Sequence, residues 1–534
     1  MTNDLLFTGG EVWLGPGRRS TALAVSAGRI SAIGPDAEAD GATTVVDLAG
    51  GLLLPAFSDG HCHPTQAGLE MFGPAIAGLT SVEAILAEVA RYAADHPELD
   101  WIVGGTYDPA LVAGGSFHAA WLDEIVPDRP VLLKATDHHT IWCNSAALRL
   151  AGVDADTPDP DTGMIDRFED GTPVGTLREP SAYLLVEQHA PEPSLETKAE
   201  ALKLACQAQA AVGLTWMQDA WVEEGGHLPY LALVDRGELS IRSNLGWLLV
   251  PERWRDQLSA IVAQRAEVEA AGAPQLLTGN AVKFFADGVI ESGTAEMLEP
   301  YDDSHHHGMP VWDPDELAAA VTAIDALGFQ AHLHAIGDAA VKHSLDAIEQ
   351  AIQTNPEWDR RPVITHVQLA EASDLQRFAD LNVTAAMQTY WAQRDPLMEM
   401  LTAPRLGPER TDRQYQVATM TKLGVPLSIA SDWPVSTNSP IEAITVAATR
   451  QTHDGLPEGG WMPEERLPLE EGLLAATAGG AYQGFTEGFR GRLEVGFSAD
   501  LVWLDRDITV GEPIRAREAV VKGTWLDGVQ THQG

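Results

Sequence analysis

The feature that most constrains the fold is a succession of eight apolar, strand-like runs separated by helical segments. They read LLLPAFSDGHCHP near residue 52, GLTWMQDA at 213, IRSNLGWLLV at 241, NAVKFFADG at 280, FQAHLHAIGD at 329, VITHVQL at 363, VTAAMQTYW at 383 and PLSIASDWPV at 426. Between them lie stretches such as LETKAEALKLACQAQAAVG and DELAAAVTAIDALG, with apolar residues three and four apart, the spacing of one helix face. Apolar strands that alternate with helices call for parallel βαβ units rather than a sandwich. Eight of them predict an α/β fold, a (β/α)8 TIM barrel.

The two ends of the chain have a different texture. LLFTGGEVWL, STALAVSAGRISAIG and TTVVDLAGGLLLPAF read as short strands broken by glycine turns, and GRLEVGFSADLVWLDRD with AVVKGTWLDG repeats the pattern at the C-terminus. Both termini are therefore expected in one sheet domain, residues 1–55 and 486–534, around a barrel spanning 56–485. About 145 residues separate the first and second runs. An insertion at about 66–195 must occupy that gap, and it is expected to fold over the barrel mouth.

Composition removes several classes of function. A net charge of −43 opposes binding to nucleic acid or to an anionic membrane surface. No apolar run approaches the roughly 18 residues of a bilayer span, and MTNDLLFTGGEVWLG has no secretory pattern, so a soluble, cytoplasmic protein is expected. Cys62, Cys143 and Cys206 are too scattered for a disulfide framework or a cysteine zinc cluster.

In a barrel of this kind the C-terminal strand ends converge, so ligand-type residues there become neighbours. The first run ends in Asp59-Gly60-His61-Cys62-His63, and histidines two apart on an extended segment face the same way, able to share one metal. The fourth run carries Lys283 among apolar residues, where a bare ammonium is costly. Either it is neutral enough to form a carbamate that bridges two cations, or it pairs with Asp287 or Glu179. The fifth run supplies His332 and His334, the sixth His366 and the eighth Asp432. Each alone fits an ordinary satisfied polar residue; their arrival at strands one, four, five, six and eight is hard to explain as packing. Trp216, Trp221, Trp391 and Trp433, at or near strand ends, suit either an apolar or aromatic substrate or ordinary packing.

Through these motifs the chain resembles the amidohydrolase superfamily, and specifically amidohydrolase family 3, whose members include N-substituted formamide deformylases. The resemblance rests on PAFSDGHCHP, DHHTIWCNSAAL at 137–148, VKFFADG at 282–288, HAIGDAAV at 334–341, THVQL, SDWPV and VGFSADLVWLD, and it covers nearly the whole chain. It implies a barrel carrying a β-sandwich built from both termini. It also implies His61 and His63 on one metal, His334 and His366 on another, Asp432 at the eighth strand, and Lys283 at the position of a bridging carboxylated lysine. The family's DGH stands here as Asp137-His138-His139, which aligns His139 with the family histidine. HAIGD favours His334 over His332 as ligand, leaving His332 to packing or support. Glu179, in GTLREPSAYLL, matches a family glutamate that binds metal or orients a ligand.

The implied chemistry is hydrolysis of a small amide, an N-substituted formamide or a relative, by metal-activated water. The metal is zinc by preference, one ion or two, with iron or manganese compatible with the same ligands. Asp432 is expected to shuttle the proton, or only to bind metal, and His139 to polarise the substrate carbonyl. The same ligand set would serve a lactonase or esterase, and a non-catalytic small-molecule-binding or regulatory protein is the reading outside enzymes. The oligomeric state is open, a homo-oligomer included.

Overall fold

The computed structural model describes residues 3–39, 42–136, 138–160 and 163–534. Each of the eight runs holds a strand of one eight-stranded, all-parallel sheet. In chain order these are β1 (Phe57–Cys62), β2 (Leu214–Val222), β3 (Arg242–Leu248) and β4 (Leu277–Phe285). They continue with β5 (Gln330–Ala335), β6 (Val363–His366), β7 (Thr384–Met387) and β8 (Leu427–Ile429). Neighbours in sequence are neighbours in the sheet, the order of a (β/α)8 barrel. The ring closes just beyond β8: the Asp432 N–H donates to the His61 carbonyl at 2.8 Å, and the His63 N–H donates to the Trp433 carbonyl at 2.8 Å.

The helices start where the sequence supplies caps. Pro314–Ala326 is preceded by Asp313, whose carboxylate accepts from the N–H groups of Asp315 and Glu316, with Pro314 where a missing N–H costs nothing. Helix Asp338–Thr354 is capped instead by Gly337, which has no side chain to offer.

The terminal strands form two sheets around a shared core. A six-stranded sheet joins Glu11–Trp13, Arg19–Ser20 and Leu52–Pro55 to the C-terminal strands Leu501–Leu504, Val521–Leu526 and Val529–Gln533. The second sheet, of four strands, comes from the N-terminal segment alone. Phe7, Leu23, Val25 and Ile30 of one pack with Val12, Leu53, Leu501 and Trp525 of the other. The run near residue 52 thus feeds two sheets, leaving the sandwich at Pro55 and entering the barrel at Phe57.

Residues 64–205, with 434–436, form a separate compact unit. It has its own five-stranded sheet and its own apolar clusters, one around Phe117 and Trp142 and another around Leu132 and Leu177. Cys62, Cys143 and Cys206 are buried free thiols. Among the described residues no helix is long and apolar enough to cross a membrane.

Candidate metal centre

Strand register brings the ligand-type residues together. Lys283 of β4 lies opposite His332 of β5, Phe285 opposite His334, and Ala335 opposite His366 of β6. Side chains two apart on a strand share a face, so β5 presents both of its histidines to the same side. The bend that closes the ring adds His63 and Asp432 from the other edge.

The contacts are short. His61 Nδ1 lies 2.7 Å from His332 Nε2, and His61 Nε2 lies 3.2 Å from Asp432 Oδ1 and 3.4 Å from Lys283 Nζ. The same Asp432 oxygen is 3.0 Å from His63 Nε2. The His334 and His366 rings meet with centroids 4.4 Å apart.

Hydrogen bonds from the rim set the tautomers of the last two rings. Gln388 Oε1 stands 2.9 Å from His366 Nδ1, and the amide nitrogen of Gln388 donates to Thr365 Oγ1 at 3.3 Å. His366 therefore donates from Nδ1 and keeps its lone pair on Nε2. His334 Nε2 is 3.1 Å from the Gly288 carbonyl, which can only accept, so Nε2 carries a proton.

Burial opposes charge on three of the rings and on the lysine. Desolvation, reinforced by the charge of Lys283, holds His61 and His332 well below the usual imidazole pKa, and desolvation with His334 does the same for His366. Lys283, fully buried, is lowered by desolvation to about 7 against the pull of Asp432. Its Nζ meets His61 Nε2 at 3.4 Å and lies 4.5 Å from the Phe285 ring centre.

Two of these residues are held in left-handed backbone conformations that side chains disfavour, His366 at φ +73° and Asp432 at φ +57°. The adjoining backbone is tied down by Val367 N–H to the Ala335 carbonyl at 3.0 Å and by the Asp432 N–H to His61. Strain that persists because its surroundings enforce it marks a site rather than a loose turn.

The residues fit a divalent cation. His61, His366 and Asp432 can each offer one atom within 4.8 Å of the others. Burial favours the neutral imidazole of His61, His332 and His366, the form that binds metal, and among the described residues Nδ1 of His63 and of His332 are buried without a hydrogen-bond partner. A cluster of neutral imidazoles around one carboxylate is otherwise difficult to satisfy with hydrogens alone.

His139 and Glu179 belong to the separate unit of residues 64–205, where they pair, Nδ1 to Oε2, at 2.7 Å. Glu179 holds φ +65° and His138 φ +57°, and His138 Nδ1 is 2.6 Å from Gln66 Nε2. Asp137 lies outside the described residues.

Sequence reasoning did not single out Gln388 or a role for Asp287 in the turn after β5. A polar residue directly after the apolar run of β7 was the available signal for Gln388. Trp216 is not at the mouth: it is 2% exposed, early in β2, under the guanidinium of Arg490 and against Gly484. Trp221 does meet the site, 5.9 Å from the His63 ring, and Trp391 lies parallel to the His366 ring at 5.5 Å.

Comparison with known proteins agrees with this geometry. LONG AFTER FAR-RED 3 of Arabidopsis thaliana is 30% identical, over 99% of this chain and 91% of its own. The N-substituted formamide deformylase of Arthrobacter pascens is 28% identical, over 99% of this chain and 98% of its own. Among solved structures, an uncharacterized metal-dependent hydrolase from Pyrococcus horikoshii OT3 shares the fold with a TM-score of 0.74 at 24% identity, covering 95% of this chain and 99% of that one. A profile described as the amidohydrolase family matches residues 44–532, and on that match, with the barrel and its histidines in place, the chain belongs to the amidohydrolase family.

Proposed function

We propose that the protein is a metal-dependent hydrolase that cleaves a non-peptide carbon–nitrogen bond, with an N-substituted formamide or a related small amide as substrate. Family membership supports a hydrolase, and the formamide deformylase aligned along nearly its whole length supports the bond and substrate class. The observation that carries the reading is the buried group of His61, His366 and Asp432. The metal is a divalent ion, zinc by preference, in one or two copies. His61 and His63 would hold one, His334 and His366 another, with Asp432 and a carboxylated Lys283 contributing.

A bound divalent ion supplies a Lewis acid for the carbonyl and lowers the pKa of a water to about 7. The protein's own part is proton management. Asp432 Oδ1, held between two imidazoles, takes the proton from the attacking water and returns it to the leaving nitrogen. Lys283, with a pKa near neutrality, presents the free amine that carbamate formation requires. Resemblance alone assigns carbonyl polarisation to His139 and a metal contact to Glu179. Trp221 and Trp391, both half-buried, offer apolar surface beside the histidines for the substituent on the amide nitrogen. The reading includes a small-molecule partner in the cytoplasm, no nucleic acid or membrane partner, and allows a homo-oligomer.

The test is turnover by purified protein across N-substituted formamides, other small amides, lactones and esters, before and after chelation. Amide hydrolysis that is lost with the metal and restored by zinc supports the proposal. Lactone or ester hydrolysis alone moves the bond class, and a metal-loaded protein inert on the whole panel favours a binding or regulatory role.

A further inference from the structure

The strongest unassigned group near the site is Asp287, two residues past β4 and 1% exposed. Its carboxylate reaches into the turn after β5. Oδ1 accepts from the N–H of Ile336 at 3.0 Å, and Oδ2 accepts from Gly337 at 2.8 Å and from Glu296 at 2.9 Å. Gly337 caps helix Asp338–Thr354 without a side chain, so Asp287 supplies from the segment after β4 the side-chain cap that this helix start lacks locally, although burial pushes its carboxyl up to about 8.

The same three bonds fix His334. Its Nε2 lies 3.4 Å from Asp287 Oδ1 and donates to the carbonyl of Gly288, the next residue along. The Ala286 N–H, on the other side of Asp287, donates to the carbonyl of His334 at 3.0 Å. The turn has no slack, because a Cβ on Gly337 would stand 2.0 Å from the Glu296 carbonyl oxygen.

We propose that Asp287 is a positioning residue for His334: by joining the turn after β5 to the segment after β4, it holds the Gly288 carbonyl against Nε2 and so fixes the ring orientation in which Nδ1 would serve as the metal-binding atom. The inference rests on the metal-centre reading above. A mere helix cap would use the same N–H bonds but would have no bearing on how His334 binds a metal.

The experiment is zinc affinity of the apoprotein, by competition with a chelating dye, for wild type, Asp287→Asn, His334→Ala and the double variant, with the thermal midpoint of each. Asp287→Asn is expected to weaken zinc binding about 10–100-fold and to add little once His334 is gone. A lower midpoint with wild-type zinc affinity, or equal losses in both backgrounds, overturns the positioning role and leaves a cap. If Asp287→Asn does not fold, Asp287→Glu keeps the carboxyl group but lengthens the arm, and is judged by the same comparison. Wild-type protein that takes up no zinc overturns the metal-centre reading, and this inference with it; zinc-binding wild type with an unaffected variant overturns this inference alone.

Discussion

Asp432 Oδ1 sits 3.0 Å from His63 Nε2, tying the segment after β8 to the residue after β1. The backbone bonds that close the barrel run between the same two segments, so closing the fold and assembling the centre are one event. The register that brings the first and last strands together also delivers the carboxylate to the histidines.

Removing the base from that pair tests its role. Asp432→Asn keeps the size of the side chain but not its proton affinity, and turnover is expected to fall about 10²–10⁴-fold. The measurement is kcat together with metal content per chain. Full turnover with metal retained would leave Asp432 as a ligand only.

The buried imidazoles predict an acid-labile apoprotein. His61, His332 and His366 have folded pKa values well below the 6.5 of the unfolded chain, so below that pH the unfolded state binds protons that the folded state refuses. Their contribution is fully present above 6.5 and is lost as pH falls, by up to about 1.4 kcal/mol per pH unit for each ring. Thermal midpoints of chelated protein, taken from about pH 8 down to about pH 5, should drop, and His61→Gln should make the slope shallower. A flat profile would mean the rings are charged or solvated.

A second buried pair governs stability away from the centre. Arg242 of β3 meets Asp500 through Nε at 2.8 Å and Nη2 at 3.0 Å, both side chains nearly inaccessible, joining the barrel to the C-terminal segment. Asp500→Ala leaves the buried guanidinium with the half-exposed Asp527, at 2.7 Å, as its remaining carboxylate partner and should cost up to about 3–5 kcal/mol in denaturant unfolding. Replacing both partners with apolar residues of similar volume should cost much less. Equal losses in the single and double variants would show that shape, not charge, dominates there.

The barrel was legible because its strands are buried on both faces and stand out as apolar runs of the right length, and the cluster of ligand-type residues because those runs end in histidines that a barrel brings to one mouth. The first run serves two sheets, the sandwich through Pro55 and the barrel from Phe57, and the two strands are equally buried. Trp216 was misplaced: a nine-residue β2 puts it near the barrel floor, whereas the apolar run shows only that it lies in the strand. Asp287 and Gln388 act through the backbone of one turn and the tautomer of one ring, and such partners are set by register between distant segments. His139 and Glu179 lie 40 positions apart, yet the pairing of Thr140 with Arg178 in their sheet brings them together.

Metal content per chain is the most direct test of the central claim. Protein purified without added metal, and again after reconstitution with zinc, would be compared with His61→Ala and His366→Ala by plasma mass spectrometry. One to two equivalents in wild type, falling in both variants while they remain folded, is the result this account predicts. Wild-type protein that holds no metal even after reconstitution would contradict it.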